Sequence, residues 1–289
     1  MNNDEIKIKY KEKILGVLKY CISFFDEHDI KWFIACGSAI GTIRHRGMIP
    51  WDDDIDIYMP RSDYNKLYEL KDEMLVDGFR FACLKDDDYP LSFGKVIDDN
   101  TTVWQHPRFP YNVGCYVDIF PLDLTNIGMM SFGKKWQVFH NEYLLYHAKI
   151  SDITIRDVIK NFKRHNYKDL YILAIKFLLL FRGKKNIHNK LLSIESTWNK
   201  EDGDRYVSFT EAGMYMFPKK WFEDFVMMPF EGMNVRISKH YNEYLTYIYG
   251  DYMTPPPPDQ QKGDGPHDKL YINLDKKVPM KLVKRLVKK

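Results

Sequence analysis

The sequence predicts an α+β fold, a mixed β-sheet flanked by helices with an additional, mainly helical region. Two patterns lead to it. Up to about residue 130, short apolar runs bounded by turn residues alternate with stretches of helical periodicity. Residues 131–200 then carry helical periodicity with few turn residues. A third feature bears on function: Asp52, Asp53, Asp54 and Asp56 place four carboxylates within five residues of an otherwise apolar, strand-like segment.

The elements follow in order. Ile14, Leu15, Leu18, Cys21, Ile22 and Phe25 recur at helical spacing over residues 5–28. Trp32 to Ala35 reads as a short strand feeding the turn at Gly37-Ser38, with Ser38 capping a helix over 39–45. The acidic strand follows and stops at Pro60, and Ser62 caps a helix over 63–75. Phe79–Leu84, Ser92–Ile97 and Thr101–Trp104 have strand patterning. Cys115–Phe120 is another strand, again ended by a proline. Strand-like patterning returns around Tyr206–Phe209 and Met233–Ile237, before a tyrosine-rich helix at His240–Tyr249 and a run of four prolines.

Bulk properties exclude several classes. A chain of 289 residues with 45% apolar residues has ample core. A net charge of +3 indicates no nucleic-acid partner. The four cysteines are widely spaced and form no C-x-x-C pair, so reduced thiols are expected. The charged N-terminal segment lacks a signal-peptide core, and the longest apolar run, Leu170 to Phe181, is too short to span a bilayer. That run is expected to be a buried or amphipathic helix, with a membrane-surface helix as the alternative. A cytoplasmic protein is expected.

In a strand, side chains alternate between faces, so Asp52, Asp54 and Asp56 should point one way and Asp53 the other, anchoring the loop. Like charges about 4 Å apart repel by roughly 1 kcal/mol in water and about 4 kcal/mol at an effective dielectric near 20. A divalent cation reverses that sign. A calcium loop is excluded, because its required glycine position holds Ile57 and its required glutamate position holds Asp63. Gly37-Ser38 at a helix start is an anion site suited to the phosphate of a metal–nucleotide complex. Asp118, alone among apolar residues, is the candidate for a third carboxylate that holds metal or accepts a proton. Asp123 is a lower-ranked capping candidate. Arg44, His45 and Lys95 are candidates for phosphate contact, against solvated charge as the plain alternative. His267 follows a glycine-rich loop and is a further candidate, or a surface histidine.

Gly37–His45, Ile49–Ile57, Lys95–Asp98 and Val117–Asp123 together resemble the LicD family, as does Tyr244 to Met253 with its proline run. The resemblance covers roughly residues 15–125 and 240–270. It implies a nucleotidyltransferase-like fold, shared distantly with DNA polymerase beta and the aminoglycoside nucleotidyltransferases. LicD-like proteins transfer phosphocholine from CDP-choline to a sugar hydroxyl of a surface glycan, and fukutin-type relatives transfer ribitol phosphate from CDP-ribitol. By matching positions, Asp54 and Asp56 are implied metal ligands, Asp52 a further acidic partner and Asp118 the third carboxylate. The Ser38–Asp54 spacing exceeds that of the general nucleotidyltransferase signature, and the zinc finger of fukutin-related proteins has no cysteine cluster here.

The expectation is therefore a transferase dependent on Mg²⁺ or Mn²⁺. Its donor is a CDP-alcohol, CDP-choline favoured, and its acceptor a glycan or lipid-linked glycan of lipopolysaccharide, teichoic acid or capsule. Residues 1–130 would form the catalytic core and 131–289 a mainly helical region completing the active site. Tyr241, Tyr244, Tyr247, Tyr249 and Tyr252 are the pool for an aromatic cage around choline, or core packing of a short helix. The basic tail 276–289, with seven basic residues and no acidic one, would contact the inner face of the plasma membrane, or be a frayed tail. The competing functions are nucleotidyl transfer with pyrophosphate release and a non-catalytic scaffold of glycan assembly.

Overall fold

A computed structural model describes residues 3–162, 168–200, 202–210, 213–261 and 269–287. Helix α1 (Asn3–Glu27) buries Ile14, Val17, Leu18, Cys21 and Phe25 and packs on the main sheet. Among the described residues the sheet has seven strands: β1 (Phe33–Ile34), β2 (Asp56–Pro60), β6 (Cys115–Thr125), β4 (Gly94–Asp98) and β3 (Phe79–Ala82) lie side by side in that order. Strand β7 (Arg205–Thr210) pairs with the far end of β6, and β8 (Gly213–Pro218) with β7. β2 runs parallel to β6, and every other pairing is antiparallel. The fold is thus α+β with a mixed sheet. Two small antiparallel pairs complete the strands, β9 (Phe225–Phe230) with β10 (Met233–Ser238), and β5 (Thr102–Trp104) with β11 (Tyr271–Asn273).

Between them run α2 (Cys36–His45), α3 (Arg61–Glu69) and α4 (Lys71–Val76). Then come α5 (Met129–Ile150), α6 (Ile155–Phe162), α7 (Lys168–Leu178), α8 (Lys184–Glu195), α9 (Tyr241–Tyr249) and α10 (Met280–Val287). The largest core draws on residues 10–124 and 206–274, and a second core joins α5 and α8 to Leu84 and Val207. No helix among the described residues is long and apolar enough to cross a membrane.

Several local expectations change. Strand β6 runs through Pro121 rather than stopping at it. Asp118 N–H donates to Ile55 O on the β2 side, so by alternation the Pro121 nitrogen faces the other edge, where β4 has ended at Gly94 opposite Ile119. α3 starts at Arg61 behind Pro60 with no side-chain cap, and the Ser62 hydroxyl donates to Asp63 instead. Residues 280–287 form a helix whose Val283 is fully buried, so this part of the tail is docked rather than frayed. α7 is helical as expected, but its outward positions are apolar.

Asp123 is no helix cap. It receives two hydrogen bonds from Arg61, both 2.7 Å, and Glu195 lies 3.1 Å from the same guanidinium. This buried ion triad ties α3 and α8 to β6. Removing one member of such a group strands the others. Arg61→Leu should therefore cost about 3–5 kcal/mol in urea unfolding, and Arg61→Leu/Asp123→Leu/Glu195→Gln distinctly less.

Candidate active site

Register builds the site. Asp56 on β2 lies opposite Asp118 on β6, and Asp118 lies opposite Lys95 on β4. Directly paired residues point to the same face, so two carboxylates and an ammonium form a row across three central strands. Asp54, in the loop before β2, joins them: one oxygen each from Asp54, Asp56 and Asp118 lie within 4.8 Å of one another. Lys95 is 2% exposed, meets Asp118 Oδ1 at 2.5 Å, and sits 3.3 Å from the centre of the Tyr116 ring.

The row forms part of the wall of a cavity of about 550 Å³. Asp53, Gln105, His106 and Lys269 add polar groups to it, and Tyr58, Phe93, Tyr116, Phe120, Tyr215 and Tyr249 add rings. Residues from β2, β4, β6, β8 and the end of α9 thus converge on one space.

The acidic segment is not one strand. Residues 52–55 have no strand pairing, and β2 begins at Asp56, so alternation does not sort the aspartates by face. Asp53, expected to point away, lines the cavity and pairs with Lys269 at 3.2 Å. Asp52, expected beside Asp54 and Asp56, is absent from the cavity wall and packs against α2. A Cβ on Gly37 would lie 2.7 Å from Asp52 Oδ2, so the missing side chain allows that approach. Asp52 still faces Asp54 and Asp53, with one oxygen of each within 4.8 Å of the others.

Ser38 lies inside the first turn of α2 rather than at its cap. Its hydroxyl oxygen accepts the Asp56 N–H at 3.0 Å, which fixes the start of β2 to α2. Neither Gly37 nor Ser38 lines the cavity, whereas their neighbour Cys36 does. Burial and the charge of Asp56 push the Cys36 thiol well above its usual range, which makes it a poor nucleophile.

Arg44 and His45 also stand outside the cavity wall. Arg44 Nη1 donates to Tyr252 O at 2.8 Å, and both side chains lie against Trp51. Of the tyrosine pool, only Tyr249 lines the cavity, while Tyr244 is fully buried. His267 lies outside the described residues. Sequence reasoning missed Gln105, His106, Lys269 and most of the rings. Tyr58, Phe93, Tyr116 and Phe120, each two residues from Asp56, Lys95 or Asp118, carried a local signal, the alternation of a strand.

Burial and the like charges of Asp54, Asp118 and Asp52 raise the Asp56 carboxyl well above the usual range, against the pull of Lys95. Burial and Asp54 push Asp52 from 3.8 up to about 8. Both groups bind protons more tightly in the folded chain than in the unfolded one. Without divalent cations, stability should therefore fall as pH rises through the window from 3.8 to about 8. Asp52→Asn should raise stability near pH 8 by about 1–3 kcal/mol and leave it unchanged below pH 4, as read by urea unfolding in EDTA.

A family model described as LicD/FKTN/FKRP, nucleotidyltransferase domain, matches residues 29–156, which include Asp54, Asp56, Lys95 and Asp118. The lipopolysaccharide cholinephosphotransferase LicD of Haemophilus influenzae is 27% identical over 266 residues, covering 86% of this chain and 91% of that protein. An uncharacterized protein of Rickettsia typhi is 31% identical over 93 residues, 23% of this chain and 30% of that protein. The stretch that carries Asp54, Asp56, Lys95 and Asp118 is thus similar to the LicD nucleotidyltransferase domain, and most of the chain is similar to a LicD protein.

Proposed function

We propose that the protein transfers phosphocholine from CDP-choline to a sugar hydroxyl of a cell-surface glycan, releasing CMP. The observation that carries this reading is one cavity with three clustered carboxylates and an aromatic wall. The similarity to a lipopolysaccharide cholinephosphotransferase along most of both chains supports the same substrate class.

The donor set suits a hard divalent cation. Carboxylate oxygens are the ligands that Mg²⁺ and Mn²⁺ take, and the repulsion that raises Asp56 is what a cation relieves. Asp54, Asp56 and Asp118 would hold it, and it would supply charge neutralisation of the donor diphosphate. The protein's own groups do the rest. Lys269 and Lys95 bring positive charge to the diphosphate oxygens, and Gln105 and His106 offer hydrogen bonds. The rings of Tyr58, Phe93, Tyr215 and Tyr249 offer π-faces to a quaternary ammonium.

In the transfer, the acceptor oxygen bonds to the phosphorus that carries choline as the bond from that phosphorus to the CMP oxygen breaks. The hydroxyl proton passes to Asp118. Asp52 is less suited to that role, since it stands outside the cavity wall. Much of the rate then comes from positioning and charge neutralisation.

Asp54→Asn and Asp56→Asn should each lower turnover of CDP-choline by about 10³-fold or more, with melting temperatures equal to or above that of the parent. Retained turnover, or turnover indifferent to EDTA, contradicts the reading. Release of pyrophosphate from CTP in place of CMP from CDP-choline identifies a nucleotidyltransferase instead. Tyr249→Leu should raise KM for CDP-choline about tenfold and leave KM for CDP-ribitol nearly unchanged, because only choline presents a cation to the ring.

A further inference from the structure

Surface helices of globular proteins normally turn polar residues outward. α7 does the opposite. Among its described side chains the exposed positions are Leu170, Tyr171, Ala174, Phe177 and Leu178, at helical spacing, and none of these carries charge. The turn that follows adds Leu180 and a fully exposed Phe181. Phe177 and Leu178 are 70% and 79% exposed. The lysine of the run, Lys176, turns inward, where its ammonium donates to Ser151 O at 2.6 Å. Ile155 and Ile159 of α6 are exposed one turn apart, and Leu282, Leu286 and Val287 of α10 are exposed as well. α10 stands beside the start of α6, because Lys284 pairs with Asp152.

Basic charge is concentrated in the segments of sequence that carry these apolar positions. Residues 155–185 contain nine lysines and arginines and two aspartates, and Asp169 is buried against Arg108. Residues 276–289 contain seven basic residues and no acidic one. The whole chain is only +3, so everything outside these two segments is net negative. A solvated surface has no reason to collect exposed phenylalanine and leucine where it also collects its basic charge. A second, equally basic copy would face like-charge repulsion there. A bilayer with anionic headgroups satisfies both features, taking the apolar side chains below the headgroups and pairing the basic ones with phosphate.

We infer that α6, α7, the turn at 179–183 and α10 form a face that inserts shallowly into an anionic lipid bilayer. This attachment reaches beyond the basic tail and rests on none of the catalytic residues. Lys185 at the start of α8 and Lys281 and Arg285 of α10 are exposed and would meet headgroups, whereas Lys184 pairs with Asp88 at 2.8 Å.

Vesicle sedimentation of the full chain tests it. The protein should pellet with vesicles of phosphatidylcholine and phosphatidylglycerol, much less with phosphatidylcholine alone, and less as salt rises. Leu178→Gln/Phe181→Gln should lower partitioning about tenfold or more without changing the melting temperature, since both side chains are already in water. Lys185→Gln/Lys281→Gln should weaken the salt-sensitive part. A parent protein that stays in the supernatant at low salt overturns the inference. So do variants that pellet as the parent does. A concentration-dependent dimer, lost in Leu178→Gln/Phe181→Gln and unaccompanied by pelleting, assigns the face to a second copy instead. No turnover is measured, so either result leaves the transferase reading where it stands.

Discussion

Like-charge repulsion among Asp54, Asp56 and Asp118 is the constraint around which the rest of the molecule is arranged. A parallel pairing sets Asp56 opposite Asp118 in the middle of the sheet, so the two cannot separate without breaking β2 from β6. Ser38 holds the Asp56 amide, and Lys95 and Lys269 supply the nearby positive charge. At an effective dielectric near 20, each unrelieved pair costs about 4 kcal/mol at 4 Å. A core that spans β1 to β10 can carry such a cost, while a small domain would struggle. The paired lysines leave a net negative centre of the kind that a divalent cation and a diphosphate donor together neutralise.

Much of the site was legible because it is local. Asp56 and Asp118 stood out as charges in apolar strands, which needs only the alternation rule and the cost of burying charge, and Asp54 stood out as part of the acidic run. The same rule failed for Asp52 and Asp53, since residues 52–55 bend past Gly37 instead of pairing. Ser38 looked like a cap because its neighbours are a glycine and a helix. Its actual partner, the Asp56 amide, is eighteen residues away and has no sequence signature. The aromatic wall was hidden for the same reason. Tyr215 and Tyr249 reach the cavity through the pairing of β7 with β6 and the packing of α9, contacts that span much of the chain.

The fold was legible at the level of elements and less so in their connections. Strand patterning at 79–84, 92–97 and 101–104 appears as β3, β4 and β5. Pro121 misled, because whether a proline ends a strand depends on which edge its nitrogen faces. The ion triad of Arg61, Asp123 and Glu195 was invisible, since three separated charges announce no contact. Overall charge concealed most of all. A total of +3 looked neutral, yet it is the sum of two strongly basic segments and an acidic remainder.

The central claim, that the three carboxylates form a divalent-cation site, is tested most directly by titrating Mn²⁺ into the cation-free protein at neutral pH and counting the free ion by electron paramagnetic resonance. The account predicts saturable binding that releases protons, because Asp56 must ionise to bind, and predicts that Asp56→Asn abolishes it. No saturable binding in the parent, or equal binding in Asp56→Asn, would contradict it.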